Sequence, residues 1–103
     1  MGKEDVLAIL DEIRRAYRGS LTESVISRMK GVVEDAYQAA EECRAKDALD
    51  KVYSFGNLHG QYIAELPPEK TGIAGKLVNA RWKMVEDIAE ILEKKCGLRG
   101  RRI

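Results

Sequence analysis

Residues 21–66 read LTESVISRMKGVVEDAYQAAEECRAKDALDKVYSFGNLHGQYIAEL, and this stretch decides the fold. Its first half carries Val25, Met29, Val32, Ala36 and Cys43 on one face, widened by Ile26, Val33 and Ala40. At about 100° per residue these positions form a broad apolar sector, with Glu34, Asp35, Gln38, Glu41 and Glu42 opposite it. The pattern predicts a helix over 21–44, with Ser20 and Glu23 in capping-box spacing at its start. Ala45-Lys46-Asp47 reads as a short turn, with Asp47 as the N-cap of a second long helix over 48–66 that stops before Pro67-Pro68. Leu49, Val52, Tyr53, Phe55, Leu58, Tyr62, Ile63 and Leu66 cover most of that helix. Its one polar stripe is Asp50, Ser54, Asn57 and Gln61. A helix this apolar is expected to be the most buried of its domain, with Gly56 and Gly60 permitting close helix contact.

Outward from this hairpin, Val6, Ile9, Leu10, Ile13 and Tyr17 recur at helical spacing and predict a helix over 3–18, ended by Gly19. Beyond a loop around 67–72, Leu77, Met84, Val85, Ile88, Ile91 and Leu92 predict a last helix over 73–96, stopped by Gly97. No stretch alternates as a strand would. The expected architecture is all-α: about four helices around a long antiparallel hairpin, one domain over 1–98, and a basic, flexible tail over 99–103 (Arg99, Arg101, Arg102).

Composition narrows the function classes. The chain has 103 residues, 45% hydrophobic and only 6% aromatic, so the core is aliphatic. Eighteen basic residues face 17 acidic ones, which leaves no global basic field for nucleic acid. No apolar run approaches a membrane span and no leader-like segment opens the chain, so a cytoplasmic protein is expected. Cys43 and Cys96 are isolated, each on an apolar helix face, and read as reduced core residues rather than as a disulfide. Phosphate-cradling Gly-rich loops, zinc-ligand pairs and nucleophile elbows are absent from the sequence. His59, the single histidine, reads as a hydrogen-bonded structural residue. Trp82 and the four tyrosines are dispersed along the chain, so no base-stacking platform is indicated. Lys51 and Arg81 could reach a phosphate but read first as solvated cations.

The hairpin is where chemistry could sit. If it turns near Lys46, Gln38 comes level with Ser54, and Glu34 with Asn57 or Leu58. Two oxygen-rich stripes would then face one another, and Mg²⁺ takes oxygen ligands. The opposite reading is a solvated acidic face whose Glu34/Gln38 and Gln38/Glu42 pairs are ordinary neighbours one turn apart.

Glu34-Asp35-Ala36-Tyr37-Gln38, followed beyond Tyr53 by Ser54-Phe55-Gly56-Asn57, resembles the hairpin of the all-α nucleoside triphosphate pyrophosphatases (the MazG and phosphoribosyl-ATP pyrophosphatase superfamily). That family carries E-E-x-x-E on one helix and E-x-x-D on the next. The resemblance implies a Mg²⁺-dependent nucleotide pyrophosphohydrolase, with Glu34 and Asp35 as metal ligands and Gln38, Asn57 and Asp50 as secondary contacts. Gln38, Ser54 and Asn57 stand where the family has acids, so the alternative is a non-catalytic helical oligomer that binds a nucleotide or a protein. A homodimer or tetramer is expected in either case, because the 48–66 helix has more apolar surface than a small monomer covers.

Overall fold

The computed structural model describes residues 2–65 and 71–97. They form four helices: α1 (Gly2–Ala16), α2 (Ser20–Glu41), α3 (Ala45–Glu65) and α4 (Thr71–Cys96). Among the described residues there is no strand, and the all-α expectation holds. The expected stop at Pro67-Pro68 and the basic tail over 99–103 lie outside the described residues.

Cross-helix partners fix the topology. Asp5 pairs with Lys83 and Glu12 with Lys76, so α1 and α4 run antiparallel. Thr22 meets Tyr62, and Asp35 meets Lys51, which makes α2 and α3 antiparallel. Lys3–Glu34 and Arg14–Glu23 do the same for α1 and α2. Tyr37–Asp87 and Glu41–Lys95 instead ascend together, so α2 and α4 are parallel. The result is an up-down-up-down bundle measuring 43 × 20 × 19 Å, with α1 and α3 at opposite corners and α2 and α4 in contact across the short diagonal.

The core is aliphatic, as composition required. Val6, Leu10 and Ile13 of α1, Ile26, Met29 and Val33 of α2, and Leu77, Met84, Ile88 and Leu92 of α4 are all buried, with Phe55 and Tyr62 of α3 among them. Burying side chains of this size stabilises by roughly 1.5–3 kcal/mol each before conformational entropy is subtracted. α2, not α3, is the most enclosed helix, with Thr22 and Tyr37 joining its buried face. α3 is half-sunk: Ala48, Val52, Phe55 and Tyr62 are buried, Leu49, Leu58 and Ile63 are partly covered, and Tyr53 stands 70% exposed. A corner helix has two neighbours, and two neighbours cannot cover a full circumference.

Two hydrogen bonds from buried side chains close the ends of the bundle. Thr22 and Tyr62 share a 2.7 Å hydroxyl–hydroxyl bond at the end where α2 begins. At the other end the Tyr37 hydroxyl donates to Asp87 at 2.7 Å. Burial, reinforced by that carboxylate, pushes the Tyr37 hydroxyl well above the ordinary tyrosine range, so it remains a donor.

The turns depart from expectation. Ser20 and Glu23 form no capping box. The N-cap is Gly19, without a side-chain hydrogen bond, and Glu23 faces Arg14 of α1. α2 ends before the Ala45-Lys46-Asp47 turn expected from sequence, and α3 already starts at Ala45. Asp47 is consequently not the N-cap but lies in the first turn, paired with Arg44 at 2.8 Å.

Cys43 is the residue that ends α2. Its φ of 62° is left-handed, a conformation ordinarily taken by glycine at a helix C-terminus. Its N–H donates to Ala40 C=O at 3.0 Å, and Arg44 N–H to Ala39 C=O at 2.8 Å, which satisfies two carbonyls of the last turn. The expectation of two reduced core cysteines is corrected: Cys43 is exposed and bonded to Cys96 in a disulfide, with Cα atoms 5.6 Å apart. Both lie at helix C-termini, and in a parallel diagonal pair those termini share one end of the bundle.

Two outcomes test this architecture. Tyr62→Phe should lower stability by about 1–3 kcal/mol in urea denaturation, because it strips the buried Thr22 hydroxyl of its partner. Adding Thr22→Val should recover most of that loss. Replacing both cysteines with serine should cost about 2–4 kcal/mol, since the disulfide closes a long loop in the unfolded chain.

Candidate functional site

The residues singled out on the hairpin do not converge. Glu34, near the middle of α2, turns toward α1 and accepts a 2.9 Å hydrogen bond from Lys3 Nζ. Asp35, the next residue, lies about 100° further round and faces α3, where Lys51 Nζ is 3.7 Å away. Gln38 donates along its own helix to Glu42 rather than across to Ser54. Asp50 pairs with Lys46 one turn back, at 3.5 Å. Ser54 Oγ donates to the Asp50 backbone carbonyl at 3.1 Å. Asn57 shares a shallow depression with Arg28, Asp35 and Ser54.

The set therefore splits between two surfaces. Glu34 belongs to an acidic cup with Glu4, Glu41, Asp87 and Glu90 at the α1–α2–α4 end. Asp35 and Asp50 belong to the α2–α3 groove, with the cation of Lys51 between them. Among the described residues no three His, Cys, Asp or Glu side chains are grouped closely enough to hold a metal ion. The carboxylates of the cup are also engaged: Glu34 by Lys3, Glu41 by Lys95 at 2.6 Å, Glu90 by Lys94 at 2.8 Å, and Asp87 by Tyr37. Mg²⁺ is ordinarily held by one or two carboxylates with water and substrate phosphates, and neither surface offers more than two carboxylates of the expected set, each already beside a lysine. The physical cause of the split is the helix period, which separates adjacent Glu34 and Asp35 onto different neighbours.

A different surface emerges on the outer flank of α3 and α4. Among the described residues, the large hydrophobic side chains left exposed are Leu21, Tyr53, Val78 and Trp82. Val78 and Trp82 line one groove on this flank, and the helical register puts Tyr53 on the outward side of α3. On α4, Val78, Trp82, Val85 and Ala89 follow a 4-3-4 spacing, a second apolar stripe beside the buried one. On α3, Tyr53 adjoins the line Gly56, Gly60 and Ala64, each one turn from the next. Between the helices runs a groove of about 260 Å³ lined by His59, Val78, Arg81, Trp82 and Val85.

The two seams of α4 differ in kind. Its seam with α1 is stitched by Lys76–Glu12 and Lys83–Asp5. Its seam with α3 has no ion pair among the described residues. Arg81 sits in that seam against the backbone of α3, where a Cβ built on Gly56 would come 3.3 Å from its guanidinium carbon. Gly56 thus permits the close approach expected of it, toward an arginine, whereas Gly60 meets nothing within 4 Å. Neither Arg81 nor His59 has a hydrogen-bond or ion-pair partner among the described residues. The expectation of a hydrogen-bonded structural His59 is corrected accordingly. Burial lowers the His59 pKa, and the positive charge of Arg81 lowers it further, so the ring is neutral near pH 7.

The apolar run of the 48–66 helix signalled this surface. What the sequence could not show was that Trp82, far along the chain and apparently isolated, shares a groove with His59.

Comparison with protein-family models, with curated proteins and with solved structures finds no match to this chain. Among the described residues, no helix is long and apolar enough to cross a membrane.

The environment of His59 has a measurable consequence. A histidine whose folded pKa is lowered binds its proton less readily when folded than when unfolded. Its contribution is harmless above the ordinary value of 6.5 and becomes destabilising as pH falls through it. The urea midpoint of the wild type should therefore decline more steeply below pH 6.5 than that of His59→Gln, with the two converging above pH 7.

Proposed function

We propose that this chain is a non-catalytic helical interaction module that works as a homo-oligomer through the outer flank of α3 and α4. The observation that carries this reading is that Val78 and Trp82, exposed by 41% and 63%, line a groove between α3 and α4 with no ion pair across it among the described residues, while Tyr53, 70% exposed, lies on the outward side of α3. Scattered exposed hydrophobics mean little, whereas a contiguous apolar patch marks a contact surface.

A second copy is an economical occupant because the face carries both halves of a fit. Trp82 and Tyr53 project, while Gly60 and Ala64 leave a flat strip one turn long beside the Arg81 guanidinium that covers Gly56. A two-fold axis brings the projection of each copy onto the strip of the other. Burying the exposed parts of the two rings would remove roughly 150 Å² each from water, or about 600 Å² for two copies. Val78, Val85 and the rim then bring the total toward the range of about 1,200–2,000 Å² usual for a stable pair.

The four-helix layout and the hairpin spacing also favour descent from the all-α pyrophosphatase fold, with the metal chemistry lost. Against a working Mg²⁺ hydrolase stands the division of Glu34 from Asp35, Asp50 and Asn57. Fold similarity would in any case not carry activity with it.

Light scattering coupled to gel filtration at micromolar protein should give a mass of two or more chains for the wild type and one for Trp82→Glu. Circular dichroism should show the two equally helical, because Trp82 contributes little to the core. A monomeric wild type would overturn the oligomer. Mg²⁺-dependent pyrophosphate release from nucleoside triphosphates, abolished in Glu34→Ala/Asp35→Ala, would overturn the non-catalytic reading.

A further inference from the structure

We infer that the α3–α4 groove is a binding site for a small anion carrying a flat apolar ring, with Arg81 taking the acid group, Trp82 the ring and His59 the second polar contact. The inference rests on the reading that this flank is the working face, but not on a second copy being what covers it.

Charge is the first argument. Most basic side chains near a helix seam have an acid beside them: Lys3, Arg14, Lys30, Lys51, Lys76 and Lys83 are paired, whereas Arg28, in the α2–α3 depression, has no ion pair among the described residues. Arg81 stands in a seam and has no such partner among the described residues. Its surroundings are apolar, with Val78, Trp82 and Val85 around it and the backbone of α3 behind. Arg81 is itself exposed, and a planar guanidinium with apolar neighbours and no acid beside it can take a carboxylate or phosphate through two parallel N–H bonds.

Shape is the second argument. The groove of about 260 Å³ is smaller than most drug-sized pockets, which run from about 300 to 1,000 Å³. It suits one ring and its acid group, not an extended chain. Trp82 lines the groove and is largely exposed, so its indole is open to a ligand ring. His59, half-buried and without a partner, supplies one N–H donor and one acceptor to a hydroxyl, amide or acid oxygen.

Gly56 is the third. A methyl group at this position would press on the guanidinium at 3.3 Å, so glycine lets Arg81 lie back against α3 and keeps the groove open beside it. Glycine in a helix interior is otherwise unfavourable relative to alanine. Glycine here thus sets how closely the Arg81 guanidinium lies against α3, which helix formation alone would not select.

Two compound classes share this chemistry: aryl carboxylates and mononucleotides. Trp82 is the only tryptophan, so its emission reports the groove directly. Titration of submicromolar protein with benzoate and with adenosine monophosphate should give a saturable change for at least one. The uncharged benzamide and adenosine should give none. Which anion saturates distinguishes the two sources.

Arg81→Gln should weaken that binding at least about tenfold, and Arg81→Lys by less, because charge survives but the bidentate fork does not. Gly56→Ala should also weaken it while leaving the thermal midpoint no lower than wild type, which separates loss of the site from loss of the fold. No saturable change with either anion, or binding that is unaltered in Arg81→Gln, would overturn the inference. Inorganic phosphate alone binding as tightly would also overturn it, leaving a bare anion contact without a role for the ring. A monomer that binds the anion through Arg81 would uphold the inference and remove the second copy. An oligomer that ignores both anions would do the reverse.

Discussion

The rest of the structure hangs on the contact between α2 and α4 across the short diagonal. These two helices run parallel, and their buried stripes (Ile26, Met29, Val33 and Ala40 on one, Leu77, Met84, Ile88 and Leu92 on the other) form the centre of the core. α1 and α3 fill the grooves on either side of that pair, and neither needs to touch the other. Because the diagonal is parallel, the C-termini of α2 and α4 meet, which lets Cys43 and Cys96 bond although 53 positions separate them. The same geometry aligns Tyr37 with Asp87 and Glu41 with Lys95. A disulfide, a buried hydroxyl–carboxylate bond and an ion pair thus brace one end of one helix pair.

This arrangement treats the two corner helices unequally. α1 is strongly amphipathic and is held by ion pairs on both flanks, to α2 and to α4. α3 carries more apolar residues than its two neighbours can cover, and its seam with α4, where Arg81 lies against Gly56, has no ion pair among the described residues. The surplus apolar surface surfaces on one flank. That asymmetry, not any catalytic constellation, is what makes the α3–α4 side chemically different from the rest of the bundle.

The hairpin shows why a motif at the right spacing does not by itself make a site. Glu34 and Asp35 are adjacent in the chain, and in a helix adjacent residues point about 100° apart. They act together only if neighbouring elements bring further oxygens to both directions at once. Here α1 answers Glu34 with Lys3, and α3 answers Asp35 with Lys51. The two acids stand in surface ion pairs with different helices, each worth little in stability, and no three metal-ligating side chains group among the described residues.

The helical periods of residues 3–18, 21–44, 48–66 and 73–96 determined the all-α class, the helix number and most of the core, because burying one stripe per helix is a local requirement written at local spacing. Helix ends were less legible: Ser20–Glu23 looked like a cap but Gly19 took that place, and α2 stops before Cys43, which adopts a left-handed φ, rather than running on to 44. Tertiary structure alone decided what depends on distant segments meeting. It paired Cys43 with Cys96, divided Glu34 from Asp35, set Arg81 against Gly56, and brought His59 and Trp82 to one groove. Spacing along a chain specifies which face of its own helix a residue occupies. Which neighbour that face meets follows from the packing of all four helices together.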